Sequence, residues 1–133
     1  MAQKQLAYDN VTYVAVKGMP TGQMNGSAGT STKFAAFLDM KIKAVTLRAT
    51  TAGTSADVVS IVKVTGTTTT TTAYGTIGSG GATTGTSITP SSPASQVDLS
   101  QGDLWYVQKG TDATATYVGM VEYVINPSAN PTL

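Results

Sequence analysis

Apolar and polar residues alternate in several short segments of the chain, which is the pattern of a β-strand with one buried face. Within residues 40–49 (MKIKAVTLRA), Met40 and Ile42 fall on one face, whereas Val45 and Leu47 fall on the opposite face. This exchange of faces indicates either a β-bulge or a strand that is covered on both sides in its second half.

Two segments also fit a helical spacing. In residues 57–65 (DVVSIVKVT), five of the nine side chains are Val or Ile, which lose rotamer freedom in a helix, so a strand is predicted. A short helical turn at residues 34–38 competes with an extended segment, because Phe34, Phe37 and Leu38 fit 3.6-residue spacing. The predicted strands are residues 11–17, 40–49, 57–65, 73–78, 86–89, 95–99, 104–109 and 116–125.

Turn signals rich in Gly, Pro, Ser and Asp separate these segments at short intervals. About eight strands without a long helix predict an all-β fold, namely a single two-sheet antiparallel sandwich with a jelly roll as the expected topology. Residues 1–32 are predicted to form an N-terminal arm and loop that contain the early strand 11–17. The sandwich is expected over residues 33–127, and residues 128–133 are expected to be an extended tail.

Composition narrows the function classes. The chain has 133 residues, which fits one domain, and it has neither Cys nor His. Zinc, copper and iron–sulfur sites built on those ligands are therefore excluded, as are Ser-His-Asp and Cys-His nucleophile systems. No cofactor or metal is expected, and the composition argues against most enzymes, so the protein is expected not to be an enzyme.

The charge distribution bears on partners. Eight Lys and Arg are balanced by seven Asp and Glu, and the basic residues are scattered, so no nucleic acid partner is expected. The longest apolar runs fall far short of the roughly 20 residues that span a bilayer, so no membrane partner is expected either. The first ten residues lack the apolar region of a secretory signal, which predicts synthesis in the cytoplasm.

Two polar features are candidates for binding chemistry. Asp98 and Asp103 flank the turn in VDLSQGDLW and could act as calcium ligands or as an acid–base pair. A turn-capping role is favoured, because the intervening residues supply no alternating series of ligands. The six threonines at positions 67–72 are interpreted as a solvent-exposed hairpin edge, with a ligand-facing row of hydroxyls as the alternative.

The candidate partner-binding residues are apolar. Leu6, Tyr8, Met19 and Met24 lie in segments with weak local structure, where an apolar side chain gains little until it docks on a broad surface. They can dock on a partner or fold back onto the chain's own sandwich, and the sequence leaves both interpretations open. Trp105 is a further candidate, either as a stacking platform for a sugar or as a core residue.

Three segments together resemble a known family, namely residues 43–64 (KAVTLRATTAGTSADVVSIVKV), 97–110 (VDLSQGDLWYVQKG) and 117–127 (YVGMVEYVINP). They are similar to the small jelly-roll structural proteins of tailed bacteriophages, which include capsid decoration (cement) proteins and head-fibre domains. The pattern includes a V-x-L-x-x-G-D corner, whose residues here are Val97, Leu99, Gly102 and Asp103.

The resemblance implies an accessory virion protein with no catalytic residues. Such a protein is usually a homotrimer, and it binds the major capsid protein and bridges its subunits on the capsid exterior after synthesis in the host cytoplasm. Two other classes of function are weighed against it. One is a fibre or tail-associated module that binds a host glycan through Trp105 or a tyrosine, and the other is an enzyme that uses two carboxylates.

Overall fold

A computed structural model describes residues 16–78, 86–88 and 95–126. The described chain contains no α-helix, and therefore no helix with the length and hydropathy of a membrane span. Its secondary-structure elements are all β-strands, as the alternating pattern predicts. The strands are β1 (Lys17–Pro20), β2 (Phe34–Ala35), β3 (Met40–Thr51), β4 (Asp57–Thr65), β5 (Thr68–Ile77), β6 (Thr86–Ile88), β7 (Asp98–Leu99), β8 (Leu104–Gln108) and β9 (Thr116–Ile125).

The strands form two antiparallel sheets that pack face to face. One sheet has the order β1-β9-β3-β6, with β7 also paired to β3, and the other has the order β2-β8-β4-β5. All the pairings are antiparallel. The predicted two-sheet antiparallel sandwich is therefore confirmed.

The exchange of faces in β3 comes from a β-bulge. Ile42 lies opposite Tyr123 on β9, and Ala44 lies opposite the next residue, Glu122, so that Lys43 is an extra residue in β3. The extra residue shifts the phase of the strand. Met40, Ile42, Val45 and Leu47 consequently all point into the hydrophobic core, although they fall on two faces of a regular strand.

The β4–β5 hairpin confirms the strand prediction for residues 57–65 and extends the next strand. Thr65 pairs directly with Thr68, and Gly66 in the two-residue loop has a φ of +59°, a conformation that favours glycine. β5 begins five residues before the predicted start at residue 73, so most of the threonine run is strand. Residues 68–71 are exposed, as the hairpin-edge interpretation predicts.

Residues 17–30, which the sequence assigns to the arm and loop, pair with strands of the sandwich. β1 pairs with β9, from Lys17 opposite Tyr123 to Pro20 opposite Met120. Isolated bridges then join Met24 to Tyr117 and Thr30 to Gln108. The strand signal is weak here because β1 (KGMP) has no alternating apolar pattern, and these contacts are made largely by the backbone.

The structure also answers the question of the helical turn at residues 34–38 and locates the core. Phe34 and Ala35 form β2 against β8, so the extended alternative is correct at the site of the competing helical turn. Residues 11–15 of the early predicted strand and the tail 128–133 lie outside the described residues. The core lies between the sheets, and its largest fully buried apolar side chains include Trp105, Tyr117 and Met24.

Candidate functional site

The structure places Met19 and Met24 against the chain's own core. The Met24 side chain is fully buried, and its backbone exchanges two hydrogen bonds with Tyr117, at 2.9 and 3.0 Å. Met19 is partly buried and packs on the same core. The fold-back interpretation therefore describes both methionines, and the Met24 side chain is not accessible to a partner. Leu6 and Tyr8 lie outside the described residues.

Trp105 is also a core residue. Its side chain is fully buried, and its ring lies 4.8 Å from the ring of Phe34, with an angle of 36° between the planes. A buried ring cannot offer a stacking face to a sugar in this conformation. Because Trp105 pairs with Phe34 across β2 and β8, its inward orientation follows from the register of the two strands.

The remaining described aromatic residues do not form an exposed platform. Tyr74, Tyr117 and Tyr123 are buried, and Tyr106 is half-buried with the Lys33 ammonium 5.3 Å from its ring centre. Phe37 is 47% exposed and contacts the ring of Tyr123 edge-on. The described surface therefore lacks a face with several accessible rings.

Asp103 caps the turn at residues 100–103, as predicted. Its carboxylate accepts hydrogen bonds of 2.8 Å from the Ser100 N–H and from the Thr65 hydroxyl, and it lies 3.6 Å from the Lys63 ammonium. Burial alone would raise the pKa of Asp103, but these donors and the Lys63 charge outweigh it and lower the pKa.

The Asp98 side chain is paired with a different lysine. Its carboxylate is exposed and lies 3.6 Å from the Lys41 ammonium. Within the described ranges, no group of three or more Asp or Glu side chains is arranged to hold a metal ion. Asp98 and Asp103 each lie beside a different lysine.

A buried polar cluster at the ends of β4 and β8 was not predicted from the sequence. Lys109 follows β8 and Asp57 begins β4, and both side chains are fully buried with 3.4 Å between the Lys109 Nζ and the Asp57 Oδ2 atoms. The ammonium also donates to the carbonyl oxygens of Gly26, at 2.8 Å, and Asp112. Within the described residues the Asp57 Oδ2 atom accepts no hydrogen bond, so it compensates the ammonium as an ion-pair partner, whereas the two carbonyl oxygens accept hydrogen bonds from it.

Asp112 is the second carboxylate of the cluster. Its Oδ2 atom accepts from the N–H groups of Thr54 and Ser55, and its Oδ1 atom accepts from those of Thr114 and Ala115. The Ser55 donor and the other N–H groups outweigh the effect of burial and hold the pKa of this carboxyl well below its usual range. The cluster joins the β3–β4 loop, the β8–β9 loop and the loop at residue 26, and its hydrogen bonds make it a structural clamp.

Two glycines make room for this clamp. A Cβ atom on Gly110 would lie 2.6 Å from the Asp57 Oδ1 atom, and one on Gly53 would lie 2.5 Å from the Asp112 Oδ2 atom. The sequence signal was weak, because Asp57 and Asp112 are far apart in the chain whereas Asp98 and Asp103 flank one turn. The available clue was a glycine in each of the two loops, Gly53 and Gly110, each of which faces a carboxylate.

A polar depression of the described surface lies along β5. It has a volume of about 450 Å³, and within it Lys63 donates a 2.9 Å hydrogen bond to the Asp98 carbonyl. The depression contains no aromatic ring and is lined by Lys63, Thr70, Thr72, Ser95, Gln96, Val97 and Asp98.

Exposed apolar side chains are spread over both sheets and do not single out one face. Val58 and Leu104 lie on one sheet and Met120 lies on the other.

Comparison of the chain with protein-family models, with curated proteins and with solved structures finds no match in any of the three.

Proposed function

We propose that this protein decorates the exterior of a bacteriophage capsid and stabilises it by bridging subunits of the major capsid protein. The order of the strands is the observation that carries the proposal. It supports a jelly roll, which is the topology of the family that the sequence resembles and is common in viral capsid proteins.

The strand order supports a jelly roll for the following reason. β1 pairs with β9, β2 with β8, β3 with β6 and β7, and β4 with β5. If β6 and β7 are counted as one interrupted strand, the chain is a long hairpin of four nested strand pairs. Rolling that hairpin brings the first and third pairs into one sheet and the second and fourth into the other, as observed.

The surface and the interior fit a structural role. In the polar clamp at Lys109 and in the capped turn at Asp103, the buried charged side chains interact with groups of the chain itself. The nearly neutral chain, with its exposed threonines, suits a protein that attaches in many copies. Weak contacts then add up, because a copy held at one point meets its second contact at a high effective concentration.

The glycan-binding alternative receives less support. It needs accessible rings, whereas Trp105 is buried and the depression beside β5 contains no aromatic residue. An enzyme with two carboxylates also receives less support, because Asp57 and Asp112 are buried and bonded to the chain's own ammonium and N–H groups.

Co-sedimentation with capsids tests the proposal. The purified chain is mixed with heads of the phage that encodes it, from which accessory proteins have been stripped, and bound copies are counted by quantitative mass spectrometry. We expect saturable binding and a native mass of three copies for the free protein. Failure of the full chain to co-sediment contradicts the proposal.

A truncated variant locates the contact. Deleting residues 1–10 removes Leu6 and Tyr8, while the described residues are retained. We expect lower occupancy if the N-terminal arm contacts the shell. Unchanged occupancy shows that residues 1–10 do not make the contact and assigns it to the rest of the chain. The folded state of the variant is checked by circular dichroism.

A further inference from the structure

The first half of β5 is a free sheet edge within the described structure. β5 is the last strand of its sheet and pairs with β4 on one side. Its second half lies near β6, where a Cβ atom on Gly75 would come within 2.5 Å of the Ile88 side chain. No described strand pairs with the other side of residues 68–73, so the outward backbone N–H and C=O groups there have no strand partner within the described residues.

This edge lacks the features that usually block edge-to-edge pairing. Natural edge strands are protected by charged residues, proline or short length. β5 has ten residues (TTTTTAYGTI), none of which is charged or proline, and residues 68–71 are exposed. A bulge at Tyr74 interrupts the register only beyond the threonines, between the pairs Val59–Gly75 and Ser60–Ala73.

The threonines make the edge complementary to itself. When two such edges meet in an antiparallel manner about a two-fold axis, Thr lies opposite Thr in several alternative registers. Thr–Thr pairs across strands are favourable, and no charge opposes the approach of two copies. A partner with a charged strand would find no matching charge on β5, so a second copy of this chain fits the edge well.

We propose that two copies of this chain associate by antiparallel pairing of their β5 edges, which joins their four-stranded sheets into one. Thr69 and Thr71 alternate with Thr70 and Thr72, which line the depression, so the second strand also lies beside that depression. The contact is two-fold and isologous. It is therefore distinct from the contact that builds a trimer, and it does not depend on the capsid role.

Measurement of native mass against protein concentration tests this proposal. We expect the mass to double as concentration rises, from one copy to two or from three copies to six. Hydrogen–deuterium exchange should show slower exchange within residues 68–73 in the doubled species only. No doubling, or doubling without that protection, overturns the proposal.

Substitutions that place a positive or a negative charge on the β5 edge provide a matched pair of variants. Thr71 is exposed and pairs with Val62 on β4, so its replacement leaves the core intact. We expect T71K alone and T71E alone to associate at least about tenfold more weakly, because each copy then brings a like charge to the same edge. An equimolar mixture of the two should associate again.

The control variant is T32K, which adds the same charge at an exposed loop position away from β5. It should associate as the unmodified chain does. Equal association of T71K and T32K overturns the proposal, as does a mixture of T71K and T71E that stays dissociated. Because no capsid is present in these measurements, their result is independent of the co-sedimentation result.

Discussion

At the scale of single residues, the effect of the Lys109–Asp57 pair on the stability of the fold depends on the presence of both partners. Both side chains are fully buried, so each charge loses its hydration on folding, and the ion pair and the carbonyl acceptors of Lys109 compensate for that loss. A buried pair of this kind contributes little net stability, but removal of one partner leaves the other charge without compensation.

We therefore expect Lys109→Met to lower the free energy of unfolding by about 3 to 5 kcal/mol. The double variant K109M/D57N should recover much of that loss, because the amide side chain carries no charge and still offers an oxygen to the Asp112 N–H. Equilibrium unfolding in urea measures both. The control is Lys41→Met at the exposed pair with Asp98, which should cost about 0 to 1 kcal/mol. A double variant as unstable as K109M would contradict this account.

At the scale of elements, the bulge in β3 brings the apolar residues before it and those after it to the same side of the strand. Lys43 is the extra residue, and it places Val45 and Leu47 on the same side as Met40 and Ile42. Without Lys43, Ala44 would be the single residue between Ile42 and Val45. Regular alternation would then keep Ile42 and Val45 on the same inward face. Deletion of Thr46, in contrast, forces either Val45 or Leu47 out of the core.

This difference predicts that deleting Lys43 is better tolerated than deleting Thr46. The Thr46 deletion should cost at least about 1.5 to 3 kcal/mol, the value of burying one Val or Leu side chain. The Lys43 deletion should cost less, because it removes the bulge while the inward set is retained. Urea unfolding of the two deletion variants measures the order. If the Lys43 deletion is the less stable, the bulge has a role other than phase correction.

At the scale of the whole molecule, lowered carboxyl pKa values and raised tyrosine pKa values bound a pH range of high stability. The pKa values of Asp103 and Asp112 are lower in the folded chain than the usual value near 3.9, so the stability they contribute is present above that value and is lost as the pH falls. Burial raises the pKa of Tyr74 and Tyr117 to about 12, with the negative charge of Asp57 adding to the effect on Tyr117. Their contribution is present below about pH 10 and is lost as the pH rises toward 12.

We expect the free energy of unfolding to be nearly constant between about pH 5 and pH 10 and to fall on both sides. Urea unfolding across the pH range measures this curve. The variant D112N removes one lowered carboxyl, so it should be less stable at neutral pH and should lose less stability on acidification than the unmodified chain. Parallel acid limbs for the two proteins would show that Asp112 is not responsible for the acid dependence.

The sequence was informative about elements and less so about sites. Alternation predicted most of the strands, and the exchange of faces at residues 40–49 indicated a bulge as one of two alternatives, which the register of β3 and β9 decides. The docking of β1 on β9 was not predicted, because the short KGMP strand pairs mainly through its backbone. Asp57, Lys109 and Asp112 were missed because the clamp forms between loops that are distant in the chain.

The all-β class, most of the strand segments and the capping of the turn by Asp103 follow from the sequence alone, because each depends on interactions among residues that are close in the chain. Long-range strand pairing buries Met24 and Trp105, joins residues 17–31 to the sandwich, and leaves the threonine edge of β5 free within the described structure. These outcomes depend on which strands pair and in which register. That choice is set by the burial of apolar surface summed over both sheets, to which each local segment contributes only a small part.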